Sequence, residues 1–148
     1  LRTERDGAIA LPGGIIAVGQ PVIDNHDEPG VVAGHILAAA ESARQNDPIA
    51  RLLNASGADA ALRLMTTGEV SRRDLRAYAE RLLTEPTPDV PAEGLLARFE
   101  EAKVSPRAYA ATLEDGQMAN ALIGGGPDDA APVLSDGAWV ALQTICSQ

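Results

Sequence analysis

The sequence has few aromatic side chains, one cysteine and one lysine, and each shortage excludes something. Aromatic residues make up 3% of the 148 residues, so the core has to be built from Ala, Leu, Val and Ile. Each of these side chains buries little area, and burial contributes roughly 0.8 kcal/mol per CH₂ group. We therefore predict a thin core, and we expect self-association to supplement it.

The single cysteine, Cys146, excludes an intrachain disulfide. This favours a reducing compartment, and we predict a cytoplasmic protein unless a leader segment has been removed before Leu1. A long uncharged run, residues 8–23, contains two prolines and three glycines. These interruptions exclude a membrane-spanning helix there, and we predict a soluble protein with no membrane span.

Acidic residues outnumber basic ones, 21 to 12, and the formal net charge is −9. Binding to phosphate backbones depends on Lys and Arg displacing counterions, so we predict no nucleic-acid partner. Lys103 is the only lysine and every other basic residue is Arg. Together with the excess of Ala and Gly, this indicates a GC-rich bacterial or phage source.

The first 30 residues differ from the rest. Two short runs of β-type residues, 7–11 and 15–18, flank Pro12-Gly13-Gly14, which favours a turn. Residues 1–30 therefore predict either a β-hairpin packed on the chain's own domain or an extended apolar arm. An extended arm would expose six apolar side chains able to bind a partner or another subunit: Leu11, Ile15, Ile16, Val18, Val22 and Ile23.

Residues 31–148 carry helical periodicity and predict a single domain. The fold class is mainly α, a compact bundle of about seven or eight short helices preceded by the hairpin or arm. Three prolines in the connector 85–91 cannot lie inside a helix, so a subdivision at this point is possible.

The clearest helix is predicted over residues 72–84. Ser71 and Asp74 resemble a capping box, with Asp where Glu is commoner. The residues that recur at helical spacing predict the inward face: Leu75, Tyr78, Ala79 and Leu82. Arg72 and Arg76 lie on the opposite face and are candidates to bind an acidic partner or another subunit, although a solvated face explains them too.

Later helices are predicted with their own inward faces. In the segment that begins near Pro91, Leu95 and Phe99 are expected to face inward. The last helix begins at Ser135 or Asp136 and should bury four side chains: Trp139, Leu142, Ile145 and Cys146.

One short stretch carries potential metal ligands. Asp24, His26 and Asp27 precede a predicted helix that carries His35 on its first turns. Carboxylates and imidazoles of this kind can bind a divalent metal. The same residues are also typical of a solvated loop before a helix N-terminus, so both interpretations stay open.

No motif in the sequence frames a catalytic serine or cysteine or a phosphate-binding loop, and we predict no cofactor. The leading hypothesis is a non-enzymatic helical module for protein interaction or self-assembly. It would act through the apolar arm and the helix surfaces around Tyr78, Phe99 and Tyr109. The alternative is a metal-binding enzyme or regulator that uses Asp24, His26, Asp27 and His35. A third possibility is a regulatory or adaptor domain of a longer chain.

Overall fold

The computed structural model describes residues 6–84, 89–127 and 129–146. Within these ranges the chain forms a two-stranded hairpin and nine helices, which confirms a mainly α fold with an N-terminal hairpin. The elements are β1 (Ala8–Leu11), β2 (Ile15–Val18), α1 (Gln20–Asp24), α2 (Pro29–Gln45), α3 (Pro48–Ser56), α4 (Ala58–Thr67), α5 (Arg72–Thr84), α6 (Ala92–Ala102), α7 (Arg107–Ala110), α8 (Gly116–Gly124) and α9 (Asp136–Cys146). Most of the proline-rich connector, residues 85–88, lies outside the described ranges.

The hairpin forms because its turn contains two adjacent glycines. Leu11 of β1 pairs with Ile15 of β2 in an antiparallel register, which leaves three residues for the turn. Gly13 and Gly14 have φ angles of 88° and 75°, values that glycine adopts without the steric cost of a Cβ atom. Of the two predicted forms, the chain therefore adopts the hairpin and not the extended arm.

Helix α2 is the central element of the fold. It packs against both strands and against α1, α6 and α7. Pro29 lies in its first turn, where the missing N–H costs nothing. Gly34 is buried, and a Cβ atom at this position would overlap Cβ and Cγ of Tyr109. The absence of a side chain at residue 34 therefore lets α7 lie directly on α2.

Buried apolar side chains form three small clusters. The central cluster joins α6, α7 and α8 and consists of Leu95, Phe99, Tyr109, Ala110 and Leu122. The second joins α3 and α5 through Leu52, Tyr78 and Leu82, with Ile9 and Leu11 of the hairpin packed against it. The third joins α1, α2 and α9 through Val22, Val32 and Trp139. Three modest clusters are what a chain with few aromatic residues can build.

Several helices begin where a side chain caps them. The Asp47 carboxylate accepts a hydrogen bond of 2.9 Å from the Ile49 N–H at the start of α3. The Ser71 hydroxyl accepts from the Asp74 N–H at 3.2 Å and donates to the Asp74 carboxylate at 2.6 Å. This cap marks the start of α5 at Arg72, and the helix spans Arg72–Thr84, as predicted.

Three side chains predicted to face inward are exposed: Leu75, Ala79 and Ile145. The exposed fraction of Leu75 is 47%, and that of Ile145 is 72%. Helix α5 packs on α3 through Tyr78 and Leu82, and Leu75, which shares their face of the helix, lies outside this cluster. Helix α9 packs on α1, and nothing described covers its outer side at Ile145. The side chain of Cys146 lies outside the described part of the chain.

Among the described helices, none combines the length and the apolar character that crossing a membrane would require.

Candidate functional site

The hairpin turn and the junction between α2 and α3 enclose an apolar groove of about 360 Å³. We call the surface around it the tip face. Its residues are Ala10, Leu11, Pro12, Gly13, Gly14, Ile15, Ile16, Ala40, Ala43, Asp47, Pro48 and Ile49. Two large apolar side chains of this face are exposed, Ile15 by 58% and Ile49 by 45%. The tip face therefore has both an apolar depression and apolar protrusions beside it.

The six apolar residues predicted for the arm lie in different environments. Val22 is fully buried, and Val18 and Ile23 pack against the same cluster. Leu11 packs against the α3–α5 cluster and also lines the groove with Ile15 and Ile16. The surface part of the arm is therefore limited to its tip, and Val22 cannot contact a partner because it lies in the core.

A larger cavity of about 650 Å³ lies on another side of α2, and we call it the His35 cavity. It is lined by Asp6, Gly7, Ala8, His35, Ala38, Ala39, Asp89, Val90, Ala92, Leu95, Tyr109, Leu113, Asp115, Gln117, Met118 and Ala121. Its volume is within the range of small-molecule sites, and its walls are mainly apolar with a few polar groups, as such sites usually are.

Tyr109 and His35 meet in this cavity. Their rings are in edge-to-face contact with centroids 5.1 Å apart, and the Phe99 ring lies 6.1 Å from Tyr109 on another side. Tyr109 is only 8% exposed, and burial raises the pKa of its hydroxyl. That hydroxyl forms no hydrogen bond within the described part of the chain.

His35 is half-buried, and burial lowers its pKa below the usual 6.5. The nearby carboxylate of Asp6 opposes this effect, and the imidazole of His26 adds to it. Because burial dominates, the imidazole is neutral at pH 7. The cavity therefore receives no positive charge from His35 under neutral conditions.

The four predicted metal ligands do not converge. The described residues contain no group of three or more His, Cys, Asp or Glu side chains placed to bind a metal ion. Asp24 accepts a hydrogen bond from Gln20 at 2.8 Å in α1, whereas His35 packs against Tyr109 in the cavity. The geometry thus gives the alternative prediction, a metal site at Asp24, His26, Asp27 and His35, no support.

The predicted arginine surface is present on α5. Arg72 and Arg76 are both exposed and form no ion pair with any described residue. Nearby, Arg63 of α4 pairs with Asp74 at 3.1 Å. This pair joins α4 to α5 and leaves the two predicted arginines facing solvent.

Glu41 is a buried ionised side chain that the sequence did not single out. Its side chain is 0% exposed and accepts hydrogen bonds from Arg44, Gln45 and, across to α6, from Arg98 at 3.0 Å. Burial alone would raise the pKa of this carboxyl. The hydrogen bonds from Gln45 and Arg44 and the charges of Arg44 and Arg98 outweigh burial and lower it. Glu41 thus joins α2 to α6 and does not face either cavity.

No family model, curated protein or solved structure matches this chain, so its chemistry has to be argued from its own residues. Sequence reasoning placed Ile15 and Ile16 on a candidate binding surface, and both line the groove. It missed the His35 cavity, because Asp6, His35, Asp89 and Tyr109 are far apart in the chain and share no motif.

Proposed function

We propose that this chain is a non-enzymatic assembly module that pairs with a second copy of itself through the tip face. The observation that carries the proposal is the exposed Ile15 beside an apolar groove on one and the same face. In a two-fold symmetric dimer the same patch is used by both subunits. A protruding side chain next to a depression can satisfy this symmetry, because each copy inserts its Ile15 into the groove of the other.

Burial of these side chains supplies the favourable free energy. Ile15 and Ile49 are 58% and 45% exposed in one chain, and moving an isoleucine side chain from water to an apolar site contributes about 1.5–3 kcal/mol when burial is complete. Two-fold symmetry doubles every such contribution. The face is small, so we expect a weak dimer with a Kd on the order of 100 µM.

The distribution of charge favours this face over others. The chain carries a formal net charge of −9, which makes contact between two copies unfavourable wherever acidic groups meet. Among the described residues that line the groove, Asp47 is the only ionisable one, and its carboxylate faces the Ile49 N–H at the start of α3. Pairing through the tip face thus brings few like charges together.

Three further predictions accompany the proposal. The absence of an intrachain disulfide supports a cytoplasmic location, and the use of Arg in place of Lys supports a bacterial or phage source. The acidic net charge argues against a nucleic-acid partner.

Light scattering as a function of concentration tests the proposal. We expect the mass of the wild-type chain to rise from one copy towards two between roughly 10 µM and 1 mM. The variant Ile49→Glu should remain a single chain throughout, because a carboxylate would be buried against the apolar groove. Glu is a good helix former and is favoured in the first turn of a helix, so α3 itself should be undisturbed.

The matched control is Leu62→Glu on α4. Leu62 is 63% exposed and lies outside the tip face, so this variant should dimerise like the wild type. A wild-type mass of one chain at every concentration, or equal loss of pairing in both variants, would show the proposal to be wrong. In the first case an apolar segment of a different protein becomes the candidate occupant.

A further inference from the structure

We propose that the His35 cavity binds a small organic cation, an amine that carries one ammonium group and an apolar body. This inference is independent of the proposed dimer, because the described residues that line the His35 cavity and those that line the groove of the tip face are different sets. It rests on the shape of the cavity, on the sign of the charges around it and on an unsatisfied hydroxyl within it.

The walls of the cavity select an apolar body. Ala38 and Ala39 of α2, Leu95 of α6 and Met118 and Ala121 of α8 contribute apolar surface. A volume of about 650 Å³ admits a ring or a branched alkyl group with room for water. An extended polyamine has no comparable apolar part and would leave these walls uncovered.

The charges select a cation. Asp6, Asp89 and Asp115 all line the cavity, and no Lys or Arg is among its described lining residues. Asp115 is partly engaged, because its carboxylate accepts hydrogen bonds from the N–H groups of Gln117 and Met118. Asp6 and Asp89 form no hydrogen bond or ion pair with other described residues. Among the described lining residues, an ammonium group would therefore meet negative charge and no Lys or Arg side chain.

Tyr109 supplies the second, independent observation. It is more than nine-tenths buried, and it lines the cavity with a hydroxyl that has no partner in the described chain. This hydroxyl is not one of the fully buried polar groups of the described chain that lack a partner, so it is accessible from the cavity and available to a ligand. Its ring also offers a π face or edge beside the apolar body, and cations are attracted to such faces.

Titration with phenethylamine, followed by ¹⁵N–¹H NMR, tests the inference. We expect saturable shifts at amides around the cavity, such as those of Gly7, Ala38 and Ala121, with a Kd on the order of 1 mM or below. 2-Phenylethanol and 3-phenylpropanoate have the same ring and similar size. The alcohol should bind at least about fivefold more weakly, and the carboxylate should bind more weakly still.

Two matched variants locate the charge that matters. Asp115→Asn keeps the helix cap, since Asn caps as well as Asp, and should weaken phenethylamine binding about threefold to tenfold. Asp47→Asn makes the same change at the cap of α3, outside the cavity, and should leave binding unchanged. Tyr109→Phe should also weaken binding if the hydroxyl receives the ammonium group, as we propose.

Three outcomes would overturn the inference. The first is equal binding of the amine, the alcohol and the carboxylate, which would mean a purely apolar site. The second is an equal effect of Asp115→Asn and Asp47→Asn, which would mean a general effect of net charge. The third is shifts that map to residues outside the cavity. The dimer proposal is tested by mass alone, so failure of one leaves the other standing.

Discussion

The central region, formed by α2, α6, α7 and α8, and the region formed by α3, α4 and α5 are packed in different ways. In the central region, a Cβ atom on Gly34 would overlap Tyr109. A Cβ atom on Gly94 would lie 2.7 Å from the Glu41 carboxylate. In the other region, Cβ atoms on Gly57 and Gly68 would meet nothing within 4 Å. The glycines of the first region thus allow close packing, and those of the second only shape the backbone.

The buried polar groups of the central region are also better hydrogen-bonded than those of the α3–α5 region. Glu41 is fully buried and accepts hydrogen bonds from three side chains, whereas the buried hydroxyl of Tyr78 has no hydrogen-bond partner in the described chain. Leu62 and Leu75 of the α3–α5 region remain 63% and 47% exposed. A chain with few aromatic residues therefore reaches tight packing by omitting side-chain atoms at contacts, and of these two regions only the central one does so.

The largest effect should come from adding one methyl group to the central region. Gly34→Ala forces α2 and α7 apart, because the new methyl overlaps Cβ of Tyr109, whose position is fixed by the backbone and cannot change with the rotamer. We expect a loss of about 3 kcal/mol or more in the free energy of unfolding, or an unfolded chain. Urea denaturation followed by circular dichroism measures this loss.

The control is Gly137→Ala on α9, where the new methyl meets nothing within 4 Å. Since Ala is a better helix former than Gly, this variant should be more stable by about 0.5–1 kcal/mol. A loss below about 1 kcal/mol for Gly34→Ala would mean that the central region can relax, and the contrast between the regions would disappear.

A smaller effect is expected for Glu41→Gln. This change removes the charge that pairs with Arg98 and Arg44, whose side chains remain 29% and 66% exposed and can regain water. We therefore expect a loss of about 2 kcal/mol at pH 7, less than for a fully buried pair. Thermal and urea unfolding of both proteins between pH 7 and pH 3 would measure it.

The pH dependence of this stability difference tests whether the charge of Glu41 is its cause. Because the pKa of Glu41 is lowered in the folded state, its contribution is present above its ordinary value of 4.5 and is lost as the pH falls through the folded value. The difference between the wild type and Glu41→Gln should therefore shrink below pH 4.5. His35, whose pKa burial lowers, should reduce the stability of both proteins below pH 6.5. A difference that stays constant down to pH 3 would contradict the ionic role.

The smallest effect belongs to the α3–α5 region. Asp74→Ala removes the partner of the Ser71 hydroxyl and the ion pair with Arg63, and we expect a loss of about 1 kcal/mol. The neighbouring Leu75→Ala should cost less, about 0.5 kcal/mol, because Leu75 is half exposed. If Asp74→Ala cost as much as Glu41→Gln, the two regions would not differ in the way described.

Helix boundaries were predictable where a side chain defines them. The Ser71–Asp74 cap marks the start of α5 at Arg72, and Pro-Gly-Gly marks the hairpin turn. Helix α1 was missed, because five residues with Pro21 near the start show no helical period. Such a short helix is stable only through its packing, and the fully buried Val22 provides that here.

Which side chains are buried was predicted less well than the helix boundaries, and the two candidate sites were predicted only in part. Periodicity shows which residues share a face of a helix but not whether another element covers it, so Leu75 and Ile145 were expected inside and lie outside. Ile15 was identified from its place in an apolar run. The contact of Gly34 and His35 with Tyr109 joins residues more than 70 positions apart, and no local pattern signals it.

Helix α9 supplies Trp139 to the third apolar cluster, whose other members, Val22 and Val32, are synthesised much earlier. The side chain of Gln143 donates hydrogen bonds to the carbonyl groups of Ile23 and His26, and its separation from Ile23 is 120 residues. At about 5–20 residues per second, a ribosome needs on the order of ten seconds to cover that distance. Throughout this interval Val22 and Val32 lack Trp139, so the nascent chain presents an apolar surface that chaperones can bind.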